Sequence, residues 1–126
     1  MKKIQTIKRS LEIIADFVKC DFDLLKHQKL KKKIFYILKN NNVKVLKTAK
    51  YIFPNKGSTI IFLLSDSHLA LHTWPEKGIV NFDLFLCNYK RKNEKRVKNI
   101  YNNIYNEIKR LLKPEKTVIK KVLRYT

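Results

Sequence analysis

The sequence predicts an α+β fold, a two-layer sandwich in which a mostly antiparallel sheet carries two helices on one face. Three observations lead there. Turn-forming clusters at Pro54-Asn55-Lys56-Gly57 and Pro75-Glu76-Lys77-Gly78 join β-forming runs, and such short connections require antiparallel neighbours. Two segments repeat their apolar residues with the helical period, one before the hairpins and one after them. The 126 residues show no linker, low-complexity stretch or internal repeat, so they make one domain with one modest core.

The elements follow in order. Leu11 to Cys20 reads as a first strand, with Ile13, Ala15 and Phe17 alternating onto one face. Asp21 or Asp23 can cap the helix that follows, where Leu30, Ile34 and Leu38 recur at i, i+4 and i+8 beside Phe35. Its other face carries Lys29, Lys32, Lys33 and Lys39, a solvated helix face, and Asn40-Asn41-Asn42 ends it. Val43 to Phe53 reads as a second strand. Ser58 to Leu64 is nearly all apolar, which predicts a central strand. Leu69 to Trp74 is a short strand. In Ile79 to Cys87, Val80, Phe82, Leu84 and Leu86 share one face, while Asn81, Asp83, Phe85 and Cys87 share the other. Lys90 to Arg96 is a charged connection. Val97, Ile100, Tyr101, Ile104, Ile108 and Leu111 mark the second helix, which stops before Pro114. Thr117 to Tyr125 closes the chain as an edge strand.

Composition narrows the function. The longest apolar run, Ile60 to Leu64, is far short of the roughly 20 residues a membrane span needs, and Met1 to Gln5 has no signal-peptide core. A cytoplasmic protein is expected, with Cys20 and Cys87 kept as thiols. The net charge of +19 attracts anionic partners, yet the basic residues are spread through a Lys-, Asn- and Ile-rich chain and do not by themselves assign nucleic acid as a partner.

Chemistry concentrates in Ser65 to Glu76 and Asp83 to Cys87, which hold two of the three histidines, the only tryptophan and one cysteine. A serine nucleophile needs a base within reach and an oxyanion hole, but no glycine-rich elbow surrounds Ser67. His68 and His72 would stand roughly 13 Å apart on a strand, too far for one metal, and no cysteine pair has zinc spacing. Taken singly, each residue is equally readable as a satisfied polar group or core packing.

Together, Asp66-Ser67-His68-Leu69-Ala70-Leu71-His72-Thr73-Trp74-Pro75-Glu76 and Asp83-Leu84-Phe85-Leu86-Cys87 resemble the signature of the short prokaryotic S-adenosylmethionine decarboxylases. The likeness extends more loosely from Ile14 through Phe53, Gly57 and the second helix. It implies a proenzyme that cleaves itself between Asp66 and Ser67 into residues 1–66 and 67–126. The new terminus becomes a covalent pyruvoyl group derived from Ser67, which joins the substrate amine as a Schiff base and withdraws electrons during decarboxylation. The resemblance makes His72 the base in the cleavage, with Thr59 assisting. It makes Cys87 the acid that returns a proton, a role suited to a thiol because its ordinary pKa of about 8.5 can be tuned. Phe53 then corresponds to the adenine-stacking aromatic and Glu76 to the carboxylate on the ribose. Dimers or larger oligomers with active sites near subunit contacts are implied as well, as is a product that feeds spermidine synthesis.

The match is incomplete. Asp66 stands where the family commonly has Glu, Asn88 follows the cysteine where glycine is common, and Lys77, Ile79, Val80 and Asn81 replace aromatic and small residues. These changes leave arginine or ornithine as alternative substrates on the same scaffold. A basic nucleic-acid-binding domain is the alternative from another class, though it has no need of Ser67, His72 and Cys87 together.

Overall fold

The computed structural model describes residues 8–88 and 92–126. Its elements are β1 (Arg9–Val18), α1 (Leu24–Asn40), β2 (Val45–Ile52), β3 (Ser58–Leu64), β4 (Ser67–Trp74), β5 (Ile79–Leu86), α2 (Glu94–Leu112) and β6 (Lys116–Tyr125). The strands form one sheet in the order β2-β3-β4-β5-β1-β6, with every neighbour antiparallel. The expected α+β sandwich is what the chain adopts.

Strand alternation decides which side is covered. Leu11, Ile13, Ala15 and Phe17 of β1, Ile60 and Phe62 of β3, Leu69 and Leu71 of β4, and Val80, Phe82 and Leu84 of β5 are buried beneath the helices. Leu30, Ile34 and Leu38 of α1 and Val97, Ile100, Ile104 and Ile108 of α2 close over them. A cut such as Ile104→Ala in this layer costs about 2–5 kcal/mol. The opposite face of the sheet has no layer over it among the described residues. There Ile14, Ile61, Leu63, Val118 and Val122 remain exposed.

Local signals set the boundaries. The Asp23 side chain caps α1 by accepting the Lys26 amide at 2.8 Å, and Asp21 pairs with the Lys26 ammonium at 2.9 Å. Asn42, at φ 58°, takes the left-handed turn beyond that helix. Lys113 is left-handed at the end of α2, one residue before Pro114. Gly57 permits close approach of two chain segments, since a Cβ there would lie 2.7 Å from the Thr73 carbonyl oxygen.

Several expectations need correction. β3 is interior but second from an edge, and it is not buried on both faces, because Ile61 and Leu63 point to the open side. β1 is shifted toward the N-terminus and stops at Val18 because Lys19 turns at φ 56°. β2 begins and ends inside the expected range. β4 starts at Ser67, so Ser67 and His68 are strand residues. α2 begins at Glu94, within the stretch read as a connection; Lys90 and Arg91 of that stretch lie outside the described residues, as do Met1 to Gln5.

Candidate active site

Ser67 opens β4 opposite Leu86, the last residue of β5. This register puts Cys87 beside it. The Ser67 Oγ accepts the Cys87 amide at 2.8 Å and lies 3.3 Å from the Cys87 Sγ. Its hydroxyl rests against the carbonyl oxygen of Asp66, the residue before it. A hydroxyl held at the preceding carbonyl by a backbone donor is placed to attack that carbonyl carbon. The segment after Cys87 is tied down by asparagines. Asn93 Nδ2 donates to the Cys87 carbonyl at 2.7 Å, and Asn88 Oδ1 accepts the Asn93 amide at 2.6 Å. The Asn88 amide and side-chain nitrogen donate to Ser10 Oγ and the Arg9 carbonyl, each at 2.8 Å. Asn88 thus joins the end of β5 to the start of β1.

A second group forms toward the other end of β4. Thr59 pairs with His72 in the β3–β4 ladder, and its Oγ1 lies 3.0 Å from His72 Nδ1. The His72 ring stacks on Trp74 with centroids 6.2 Å apart, and Trp74 stacks on Phe53 at 5.6 Å. The Trp74 indole donates to Asn81 at 2.6 Å, and Asn81 donates to Asp16 at 2.8 Å, so a polar chain crosses β4, β5 and β1. Glu76 lies exposed in the next turn and accepts a hydrogen bond from Asn55 at 2.8 Å. The Lys77 ammonium sits over the Trp74 ring, 5.8 Å from its centre.

Asp66, Ser67 and Cys87 therefore come together, and so do Thr59, His72 and Phe53 with Glu76 on the adjoining turn. The two groups do not meet within the chain. His72 is five steps along the strand from Ser67, about 17 Å at the usual rise.

Between the groups the open face carries Glu12, His68 and Asp83, which sequence reasoning did not join. Their ligand atoms all lie within 4.8 Å of one another, with His68 Nε2 3.4 Å from Asp83. Burial raises the Glu12 carboxyl above its ordinary value, and neighbouring Asp83 raises it further, against the lowering by Arg124 and His68. Asp83 Oδ1 is buried without a hydrogen-bond partner, and a protonated Glu12 would supply its donor. These are the side chains that could hold a cation, but Arg124 already approaches Glu12 at 3.3 Å and covers the Phe85 ring. Alternation in β1 and β5 was visible beforehand; the register that brings Glu12 to Asp83 and His68 was not. Cys20 lies apart from the site, and burial pushes its thiol up to about 11, so it is a poor nucleophile at neutral pH.

A two-layer α+β protein with a serine–thiol pair at one end of a strand and a histidine–aromatic group toward the other is a recognisable class, and comparison with known proteins identifies it. A family model described as S-adenosylmethionine decarboxylase matches residues 11–125. An S-adenosylmethionine decarboxylase proenzyme of Sulfurihydrogenibium sp. is 32% identical over 95 residues, covering 75% of this chain and 71% of its own. One of Brevibacillus brevis is 33% identical over 104 residues, covering 82% and 72%. The crystal structure of the adenosylmethionine decarboxylase from Aquifex aeolicus VF5 shares the fold, with a TM-score of 0.73 at 22% identity over 90% of this chain and 88% of that one. The chain belongs to the S-adenosylmethionine decarboxylase family, a family of carboxy-lyases. Among the described residues, no helix is long and apolar enough to cross a membrane.

Proposed function

We propose that this chain is a proenzyme that cleaves itself between Asp66 and Ser67, and that the two resulting segments, 1–66 and 67–126, together decarboxylate S-adenosylmethionine in the cytoplasm. The observation that carries this reading is the Ser67 hydroxyl donating to the Asp66 carbonyl oxygen while its own Oγ accepts the Cys87 amide. Ser67 Oγ would add to that carbonyl carbon as the Asp66–Ser67 carbon–nitrogen bond breaks, giving an ester and a free amine. His72, held at Nδ1 by Thr59, would use its other nitrogen to take the Ser67 Cα proton as the Ser67 Cβ–Oγ bond breaks, releasing the Asp66 carboxylate and leaving a dehydroalanine whose imine tautomer adds water and loses ammonia to give the pyruvoyl terminus. The residues fit the covalent pyruvoyl group that the family implies, which would supply the electron sink for loss of carbon dioxide. Cys87, 3.3 Å from Ser67 Oγ, is placed to return the proton. The Phe53–Trp74 stack offers a flat apolar surface for adenine, and Glu76 an exposed carboxylate for ribose hydroxyls. Both features favour a nucleoside substrate over arginine or ornithine. The product would enter spermidine synthesis.

The active unit on this reading is a two-fold dimer joined through the open sheet faces. His72 is too far from Ser67 to act on it within one protomer. A two-fold contact is isologous, so the Ser67 end of one protomer can face the His72 end of its partner, twice per dimer. The exposed apolar residues Ile14, Ile61, Leu63, Val118 and Val122 would be buried in that contact.

Denaturing mass spectrometry tests the processing step. Two fragments divided after Asp66, the second lacking ammonia and beginning with a pyruvoyl group, are expected. A chain still intact after prolonged incubation of the dimeric protein contradicts the proposal. Release of carbon dioxide from S-adenosylmethionine, but not from arginine or ornithine, tests the substrate.

A further inference from the structure

The helix side of the sheet carries a feature that decarboxylation does not use. β2 diverges from α1 and leaves a groove of about 650 Å³ between them, whose walls include Lys31, Lys32, Lys50, Gln28, Phe35 and Tyr36. A smaller recess of about 90 Å³ adjoins it, shares Lys31, Lys50 and Gln28, and adds His27 and Lys56. No carboxylate of the described residues lines either space. Lys50 points to this side because it pairs with Ile60, a residue buried beneath the helices.

Two properties of the groove are unusual for a merely solvated surface. Lys31 and Lys50 line both the groove and the recess, so two like charges face one shared space, and burial together with Lys50 holds Lys31 below its ordinary value. Phe35 and Tyr36 are both exposed on α1, with their rings edge to face at 6.1 Å, while Leu30, Ile34 and Leu38 serve the core. Cations concentrated beside exposed aromatic faces suit a ligand that has both phosphates and a flat ring. The volume is that of a small-molecule site.

We infer that the groove between α1 and β2 binds a mononucleotide polyphosphate, with phosphates between Lys31 and Lys50 and the base against Phe35 or Tyr36. The phosphates relieve the repulsion between the two lysines, and the rings hold the base. The groove lies across the sheet from His72, and neither its lining nor that of the recess includes Ser67, His72 or Cys87, so binding there is separable from the proposed decarboxylation.

The probe is ATP, titrated by calorimetry into the intact protein at about 0.15 M salt, with adenosine and inorganic tripolyphosphate as partial ligands. ATP should bind more tightly than either part. Lys31→Ala and Lys50→Ala should each weaken it about ten-fold or more, and Tyr36→Ala or Phe35→Ala several-fold. Cleavage at Asp66–Ser67 should be unchanged in the lysine variants. Melting curves keep the test clear of misfolding, because either lysine-to-alanine change should leave the transition unaltered or raise it as repulsion is lost. Phe53→Ala distinguishes this groove from the proposed adenine site and should leave ATP affinity unchanged. Absence of ATP binding overturns the inference. Tripolyphosphate or a short oligouridine binding as tightly as ATP also overturns it, by showing general attraction to polyanions. Loss of ATP binding in Phe53→Ala with retention in the lysine variants assigns the ligand to the other face and overturns it equally.

Discussion

His27 fastens α1 to the hairpin that presents Thr59 and His72, and its removal has a calculable effect. Its Nε2 lies 2.7 Å from Ser58 Oγ and 3.3 Å from Thr73 Oγ1, and both partners are buried. His27→Ala leaves Ser58 and Thr73 bonded to each other at 3.1 Å, so neither hydroxyl is orphaned. The loss is then one net hydrogen bond, about 1 kcal/mol, and about the same again for the packing of a half-buried ring. With an unfolding entropy of about 2.1 cal/mol/K per residue, about 2 kcal/mol lowers the Tm of this chain by roughly 8 °C. The effect depends on pH in a fixed direction. Burial, then Lys31 and Lys50, lower the His27 pKa below its ordinary value of 6.5. A histidine whose pKa is lower folded than unfolded contributes its full stability above the unfolded pKa and loses it as pH falls from about 6.5 toward the folded value. The gap between parent and variant should therefore be widest near pH 8 and should narrow by pH 5. Circular dichroism melts on a Ser67→Ala background, where cleavage cannot change the species, read this directly. An equal gap at both pH values, or a wider one at pH 5, would refute the reasoning.

Other outcomes are open to the same kind of check. Ser67→Ala should remain a single chain on denaturing gels. His72→Ala should stall cleavage, whereas Cys87→Ala should cleave appreciably but release little carbon dioxide; equal loss of cleavage in both would show that the roles are divided wrongly. Phe53→Ala and Glu76→Gln should each lower kcat/KM for S-adenosylmethionine about ten-fold or more, because stacking and a charged hydrogen bond are each worth about 1–2 kcal/mol. Gly57→Ala should lower the Tm, since its new Cβ would be 2.7 Å from the Thr73 carbonyl and one strand must shift; a Tm within 1 °C of the parent would refute that contact.

The parts of the fold that the sequence made legible were those with local causes. The alternation of Val80, Phe82, Leu84 and Leu86, the helical period from Val97 to Leu111, and the turns ending at Gly57 and Gly78 all appear where their patterns put them. The all-apolar run of β3 misled because Ile61 and Leu63 face away from the helices. Apolar pattern reports that a side chain seeks cover, not whether the same chain supplies it. The site was legible chiefly through its resemblance to a family. Ser67 and His72 are only five positions apart in sequence, but an extended strand spreads them about 17 Å apart. Conversely, Thr59 and His72 are thirteen residues apart and become neighbours through register alone. The cluster of Glu12, His68 and Asp83 was hidden for the same reason, because cross-strand contacts depend on pairing that no local pattern encodes.

Complementation between two inactive chains tests most directly the claim that the catalytic centre is completed across a dimer. A Ser67→Ala chain keeps His72 and Thr59 but cannot cleave, and a His72→Ala chain keeps Ser67 and Cys87 but lacks the base. Differently tagged copies, co-expressed and purified as the mixed dimer, should show cleavage of the His72→Ala chain after Asp66, while each variant alone stays intact. A mixed dimer in which both chains remain uncleaved would contradict the account.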